Sequence, residues 1–497
     1  MEVEELARKV AELEAEKERL ERKNRYLEER LKEFARLAHG SKRERFVPEV
    51  SAEQMARFGD LKKAIEQGKK EKQKITYERE KPRKEKPFRK SLPDHFPREE
   101  IIIEPDFDRT GWKKIGKEVT EELEYVPAFF KVFCYIRYKY VNPKSEDDGV
   151  KIAPLPARPI EKGIAGAGLL ARIIIDKFCD HLPFYRQQRR FKREGYEIPA
   201  STLEGWFNRS CDLIQVLYEV IKAEVLRADY LQADETPIKV LDKNKKANTH
   251  RGYHWIYHAP KKKLAFFDYR PGRSRAGPAG ILQEYQGWLQ TDGYSVYDDF
   301  EKRSGIYLVG CMAHARRYFE RALDSHPVQA GQMLKWIQEL YAIERKAREY
   351  QLTPEQRLAI RKAEAFPIVK QIAEWMVFAD ENPSFLPKEP MGKAYTYLLH
   401  RFDYLKRYLE DGHLEIDNNL AENLIRPIAI GRKNYLFAGS HKGAQRAAMA
   451  YSIIASCKLN DIDPFTYIKD VLRRLPQMNL KEVGQLLPGN WIPPKES

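Results

Sequence analysis

Along residues 1 to 39 the apolar side chains fall at alternating spacings of three and four. Leu6, Leu13, Leu20, Leu27 and Phe34 form one row, and Val3, Val10 and Leu31 form the other. This seam predicts a leucine-zipper-like coiled coil over residues 1–45, and Asn24 in the interrupted second row favours a paired, in-register dimer. The pattern stops in residues 46–98. Between Lys69 and Lys90 eleven Lys or Arg stand against four Glu, with two prolines and almost no aliphatics, so a basic linker without a core is expected. A solvating spacer and a DNA-touching arm fit that linker equally well.

Residues 99–150 are rich in β-branched and aromatic side chains and predict a small β-rich module with breaks at Pro105 and Pro143. Residues 151–227 turn helical, with Leu169, Leu170, Ile173, Ile174 and Phe178 as a buried face. Breaks follow at Pro183, Gly195 and Pro199, and Ser201 or Thr202 is placed to cap the next helix. Short helices carrying Arg186, Arg189, Arg190, Lys192, Arg193 and Arg209 fit a helix-turn-helix-like DNA reader and a basic-faced structural bundle about equally.

After Asp229 the period changes to that of strands. Strands are predicted at 230–234, 253–258 and 264–269, then a helix at 276–285, a strand at 287–291, a short helix, a strand at 306–310 and a helix from Ala313. That order predicts three antiparallel strands extended by parallel ones across helices, as in the ribonuclease H-like nucleases and transposases. Residues 325–411 read as amphipathic helices inserted into this core, which occupies 228–324 and 412–475, with a tail at 476–497. The fold class expected is therefore multidomain α/β.

Charge narrows the partner. The 497 residues carry 89 Lys and Arg against 74 Asp and Glu, a formal charge of +15, which favours a polyanion through counterion release. No basic amphipathic helix with an aromatic face and no lipidation signal points to a membrane, and the acidic start is unlike a signal peptide. A cytoplasmic, nucleoid-associated protein is expected. Five scattered cysteines offer neither a disulfide framework nor a four-cysteine zinc site.

Three acids stand out. Asp234 and Asp292 are each expected to end a strand, close together in this topology, and Glu422 lies in a short helix, 417–424, that packs back beside the sheet. A few clustered carboxylates suit two Mg²⁺ ions, with Mn²⁺ able to substitute, and such a centre can activate water or a 3′-hydroxyl against a phosphodiester. Each acid has a plainer reading as a turn residue or a helix-start residue. Glu235 competes with Asp234, since neighbours on a strand face opposite ways.

The residues themselves resemble a family. Ala233 to Pro237, Thr291 to Tyr294, Gly310 to Arg317, Asp417 to Pro427 and Gly431 to Ser440 are similar to motifs of the DDE transposases of bacterial insertion sequences of the sixty-six family, the TnpC type. Leu92 to Glu100, His181 to Arg186 and Leu459 to Pro464 extend the likeness over nearly the whole chain. The resemblance implies a catalytic and metal-binding triad of Asp234, Asp292 and Glu422, with end-binding, strand cleavage and target joining, and co-encoded small accessory proteins. One departure stands out. Where the family has paired cysteines of a zinc ribbon, this chain has Asp106 to Trp112, so no zinc is expected there.

Further DNA contacts are expected from His314, Arg316 and Arg317 beside the acids, and from Arg426, Arg432, Lys433, His441, Lys442 and Arg446 after Glu422. A solvated basic face explains any one of these as well. Cys311 and His314 have ligand-like spacing but only two donors, which favours a structural role. Two rival functions remain on these residues: a structure-selective DNA nuclease, and a catalytically silent DNA-binding regulator derived from a transposase.

Overall fold

The computed structural model describes residues 129–141, 150–245, 247–302, 305–381 and 385–494. The expected coiled coil, basic linker and most of the β-rich module lie outside the described residues. Contacts divide the chain into two units, Phe58–Tyr135 and the remainder, and every element named below belongs to the latter.

A short antiparallel ribbon, β1 (Lys139–Val141) with β2 (Val150–Ile152), leads into three helices, α1 (Ala167–Phe178), α2 (Phe184–Arg193) and α3 (Ala200–Leu226). The α3 helix begins at Ala200 behind Pro199, without the Ser201 or Thr202 cap that the sequence predicts. Its apolar row, Leu203, Phe207, Ile214, Leu217 and Ile221, is buried. The Tyr218 hydroxyl donates to the carbonyl of Phe267 at 2.9 Å, which fastens this helix to the sheet.

The sheet has five strands in the order β5-β4-β3-β6-β7. β3 (Tyr230–Leu241), β4 (Thr249–Ala259) and β5 (Leu264–Arg270) form an antiparallel meander. After α4 (Ala276–Ile281), β6 (Gly287–Gln290) runs parallel to β3, and β7 (Ile306–Val309) runs parallel to β6. The connection between β6 and β7 is a 3₁₀ turn, Ser295–Phe300. Gly287 opens β6 at φ +136°, where a side chain would meet the carbonyl of Asp229.

The strand order follows the pattern read from sequence, but β3 does not stop at Asp234. It continues to Leu241, so Asp234 lies inside the strand. The Glu-Thr-Pro that reads as a turn is tolerated because β6 pairs with β3 only over Tyr230 to Gln232, which leaves that side of β3 free of a partner strand at Pro237. The Pro237 carbonyl accepts instead from Arg432 at 2.7 Å.

Both sheet edges are closed by side chains, which removes the exposed ladders that invite strand addition. On β5 the N–H groups of Ala265 and Phe267 donate to Ser456 and Ser452 of α11 (His441–Leu459) at 3.1 and 2.8 Å. On β7 the Leu308 N–H donates to Glu301 at 3.0 Å and its carbonyl accepts from Arg407 at 2.8 Å.

α5 (Met312–Ala322) follows β7, and then come α6 (Pro327–Glu349), α7 (Pro354–Ile360), α8 (Phe366–Glu381) and α9 (Pro390–Lys406). Phe319, Met333, Leu334, Ile337, Val369, Ile372 and Leu398 make their shared core. The chain then returns to the sheet through α10 (Asn419–Tyr435), a helix of 17 residues rather than the short one expected, and ends with α11 and α12 (Pro464–Arg474).

Candidate active site

The site begins with two glutamines. Gln232 on β3 and Gln290 on β6 are in register, fully buried, and joined by a 2.9 Å hydrogen bond from Gln232 Nε2 to Gln290 Oε1. Strand alternation puts Asp234 on the same face as Gln232, and Asp292 follows Gln290 by two residues. Asp292 is just past the end of β6, where its Oδ1 accepts from the N–H of Tyr294 at 2.8 Å. The turn needs Gly293, at φ +87°. Asp234 Oδ1 accepts from the N–H of Glu235 at 2.7 Å.

The same glutamines reach the third segment. Gln232 Nε2 donates to the carbonyl of Asp417 at 3.0 Å, and Gln290 Nε2 donates to that of Glu415 at 2.8 Å. Asp417 then starts α10, accepting from the N–H of Asn419 at 3.0 Å and from the Tyr341 hydroxyl at 2.6 Å. Glu422 sits in the first turn of that helix. Its carboxylate is clamped by Arg317 of α5, Nη1 to Oε1 at 3.2 Å and Nη2 to Oε2 at 2.8 Å, while His314 Nδ1 lies 3.7 Å away. Burial lowers the His314 ring below its usual value, and its Nε2 lies 3.1 Å from Arg317 Nη1.

Glu235 takes the other face of β3. Its side chain is 2% exposed, pairs with Arg273 and leaves Oε2 without a partner. Arg273 lies 4.0 Å from the centroid of the Tyr294 ring, so this pair braces the turn that carries Asp292. Burial raises Glu235 above the usual carboxylate value, and the charge of Asp292 adds to it.

The acids crowd one another. Burial pushes the Asp234 carboxyl well above its ordinary value, and Asp292, Glu235 and Glu422 each push it further. Hard divalent cations take such oxygen donors, and a cation between Asp234 and Asp292 would offset their repulsion. As folded, no group of three His, Cys, Asp or Glu side chains converges to hold a metal ion among the described residues. Both oxygens of Glu422 are engaged by Arg317.

The other expected contacts divide in two. Arg190 bonds Asp176, which is fully buried, Arg432 ties α10 to Thr236 and Pro237, and Arg446 bonds Asp212 at 2.8 Å, so all three are used within the fold. Arg316 pairs with Glu320 along α5. Arg186, Arg209, Arg426, Lys433 and Lys442 are exposed. His441 contacts the Tyr269 hydroxyl at 2.7 Å and faces Asp242. Cys311 is buried at the start of α5, where burial pushes its thiol up.

Sequence reasoning missed the glutamine pair, yet a signal was there. Each aspartate closes the same tripeptide pattern, Gln232-Ala233-Asp234 and Gln290-Thr291-Asp292, with a polar residue in an otherwise apolar strand.

Comparison with known proteins gives the family. The family model described as "Transposase IS66 family" matches residues 162–446, more than half of the chain, and "IS66 C-terminal element" matches 452–488. "Transposase C of IS166 homeodomain" matches 26–101. The chain belongs to the IS66 family of transposases. Similar proteins include two from Sinorhizobium fredii. "Uncharacterized protein y4hP" is 32% identical over 445 residues, covering 82% of this chain and 78% of its own length. "Uncharacterized protein y4qI" is 31% identical over 484 residues, covering 93% and 88%. Among the described residues no helix is long and apolar enough to cross a membrane.

Proposed function

We propose that this transposase binds the ends of its insertion sequence and both cuts and joins DNA strands at Asp234, Asp292 and Glu422, on a ribonuclease H-like core. The observation that carries the reading is the pair of aspartates two residues beyond the register-matched glutamines, with Asp234 held above its ordinary value by burial and by neighbouring carboxylates, Asp292 first among them. A buried like-charge cluster costs stability, and a protein that keeps one has a use for it.

Asp234 and Asp292 would hold the cations, joined by Glu422 once it leaves Arg317. Two Mg²⁺ ions, for which Mn²⁺ substitutes, supply nucleophile activation and leaving-group stabilisation at a phosphodiester. The chain's own groups do the rest. The backbone N–H groups of Glu235 and Tyr294 orient the two aspartates, and the glutamine pair sets the spacing between their strands. Arg317, released from Glu422, is placed to donate to a DNA phosphate. Exposed Arg186, Arg209, Arg426, Lys433 and Lys442 supply backbone contacts. Dimerisation through residues 1–39 and co-encoded accessory proteins complete the reading.

The test is a strand-transfer reaction with labelled element-end DNA, a target plasmid and Mg²⁺. Joined products are expected from the wild type, and a loss of roughly 10³-fold or more from Asp234→Asn, the scale of removing a group that acts only in the transition state. Equal activity of the two proteins removes Asp234 from the mechanism, and hydrolysis without joining makes the enzyme a nuclease.

A further inference from the structure

α10 ends in a turn with an unusual backbone. Leu436 has φ +64° and ψ −43°, and the N–H of Phe437 donates to the carbonyl of Tyr435 at 2.7 Å. This is a γ-turn of the rare, strained hand, at a position where glycine would be at ease and leucine is not. Strain of this kind persists only where the surroundings impose it, and it gathers at ligand-contacting sites.

The surroundings here do impose it. Before the turn, the Tyr435 hydroxyl meets that of Tyr451 at 2.7 Å in the interior. After it, the Ala438 N–H donates to the Lys239 carbonyl at 2.8 Å and the Ala438 carbonyl accepts from the Leu241 N–H at 2.9 Å, a parallel bridge to the end of β3. Between these anchors the two apolar side chains face solvent, Leu436 64% and Phe437 41% exposed.

The rim of this knuckle is cationic. Lys239, Lys433 and Lys442 are exposed, and Asn434 accepts from exposed Arg186 at 3.3 Å. The nearby acid, Asp242, is engaged by the N–H of Asn244 and faces His441. An apolar tip inside a positive rim is complementary to duplex DNA, with phosphates for the lysines and a base step for the tip.

We propose that Leu436 and Phe437 form a wedge that inserts between bases of the bound DNA end. The proposal rests on the DNA-processing reading above and adds where the protein distorts its substrate. Two elements lead from the acids to the knuckle. Leu436 lies fourteen positions after Glu422 along α10 and its cap, and Val240 lies six positions after Asp234 along β3. Both paths measure about 20 Å at the usual rises per residue. At 3.4 Å per base pair that places the unstacked step about six pairs from the reacting phosphate.

The test uses the full chain and duplexes carrying the terminal sequences that flank its gene, with 2-aminopurine scanned through the first ten positions. The wild-type complex should show a several-fold fluorescence rise at one step near the sixth. Leu436→Gly suits this backbone while deleting the apolar tip, and Leu436→Asn deletes the tip while keeping a side chain. Each, combined with Phe437→Ala, should abolish the rise and weaken binding about tenfold, and Leu436→Gly alone should melt no lower than wild type. That combination separates a contact role from a structural one, since a structural leucine would lower the melting temperature when removed. Tight wild-type binding with no rise at any step overturns the wedge and leaves the DNA reading standing, as does a rise that survives both variants. Lost self-association with unchanged DNA binding overturns it in favour of a contact between copies. A wild type that binds no end DNA overturns both proposals.

Discussion

Two clusters of charge meet at the segment that leads into α10, and they are built to opposite plans. In the helical region Arg361 is fully buried, and all five of its N–H groups have acceptors: Glu344 twice, and the carbonyls of Tyr408, Asp411 and Leu414. Arg357 bridges Glu344 and Glu415. Burial would push Glu415 up, but Arg357 and Arg348 hold it below its ordinary value. At the sheet the balance is reversed. Four carboxylates gather there, two are clamped by Arg273 and Arg317, and the bonds to Asp234 and Asp292 come from backbone N–H groups. Compensated charge of the first kind holds a segment in place, whereas uncompensated charge of the second kind costs stability until a cation arrives.

The sharpest way to break the comparison is to unbalance the balanced cluster. Arg361→Ala leaves buried Glu344 to Arg357 alone and takes a donor from each of three carbonyls, which costs on the order of 3–5 kcal/mol. Urea unfolding would read this as a large fall in midpoint with little change in slope. Replacing Arg361 and Glu344 together by Met and Leu should recover much of the loss. A fall below about 1 kcal/mol for Arg361→Ala would mean that the network is not what holds residues 408–414.

The two clusters also differ in how far the sequence reveals them. Asp234, Asp292 and Glu422 can be picked out because each sits in a motif, and the alternation of apolar residues marks the strands that carry the aspartates. The Arg361 network is invisible beforehand. Its arginine looks like any other charge on an amphipathic helix, and its acceptors lie up to 53 residues away. The length of β3 escapes a local reading for a related reason. Glu-Thr-Pro has the local chemistry of a turn, and only the short pairing with β6, a tertiary fact, makes the proline acceptable inside a strand. Arg190, Arg432 and Arg446 show the same limit, since a basic residue gives no local sign of whether its partner will be a phosphate or a group of the fold itself.

A smaller effect is expected where a counter-charge occupies a donor that a cation needs. Arg317 and a divalent ion compete for Glu422, so Arg317→Gln should raise Mn²⁺ affinity about tenfold, or 1.4 kcal/mol, in calorimetric titration of the metal-free protein. The same variant should bind end DNA less tightly in the presence of metal, because the guanidinium is then missing from the phosphate. Unchanged Mn²⁺ affinity would mean that the Arg317 clamp is compatible with the bound state and that Glu422 is not released.

The smallest effect tests the uncompensated cluster directly. In the native chain Asp234 titrates above its unfolded value, because burial and then Asp292, Glu235 and Glu422 disfavour its ionised form. Between those two values the unfolded chain has released a proton that the native chain retains, so stability falls as the pH rises through that window. Asp234→Asn removes this dependence. In EDTA the variant should therefore melt higher than wild type at pH 8, by on the order of 2 °C, and the gap should close as the pH approaches the unfolded carboxylate range. Mn²⁺ should reverse the order by stabilising the wild type, since a ligand that binds only the native state adds its binding energy to stability. If the variant melts below wild type in EDTA at pH 8, Asp234 is stabilised by its hydrogen bond more than it is destabilised by its neighbours, and the contrast between the two clusters fails.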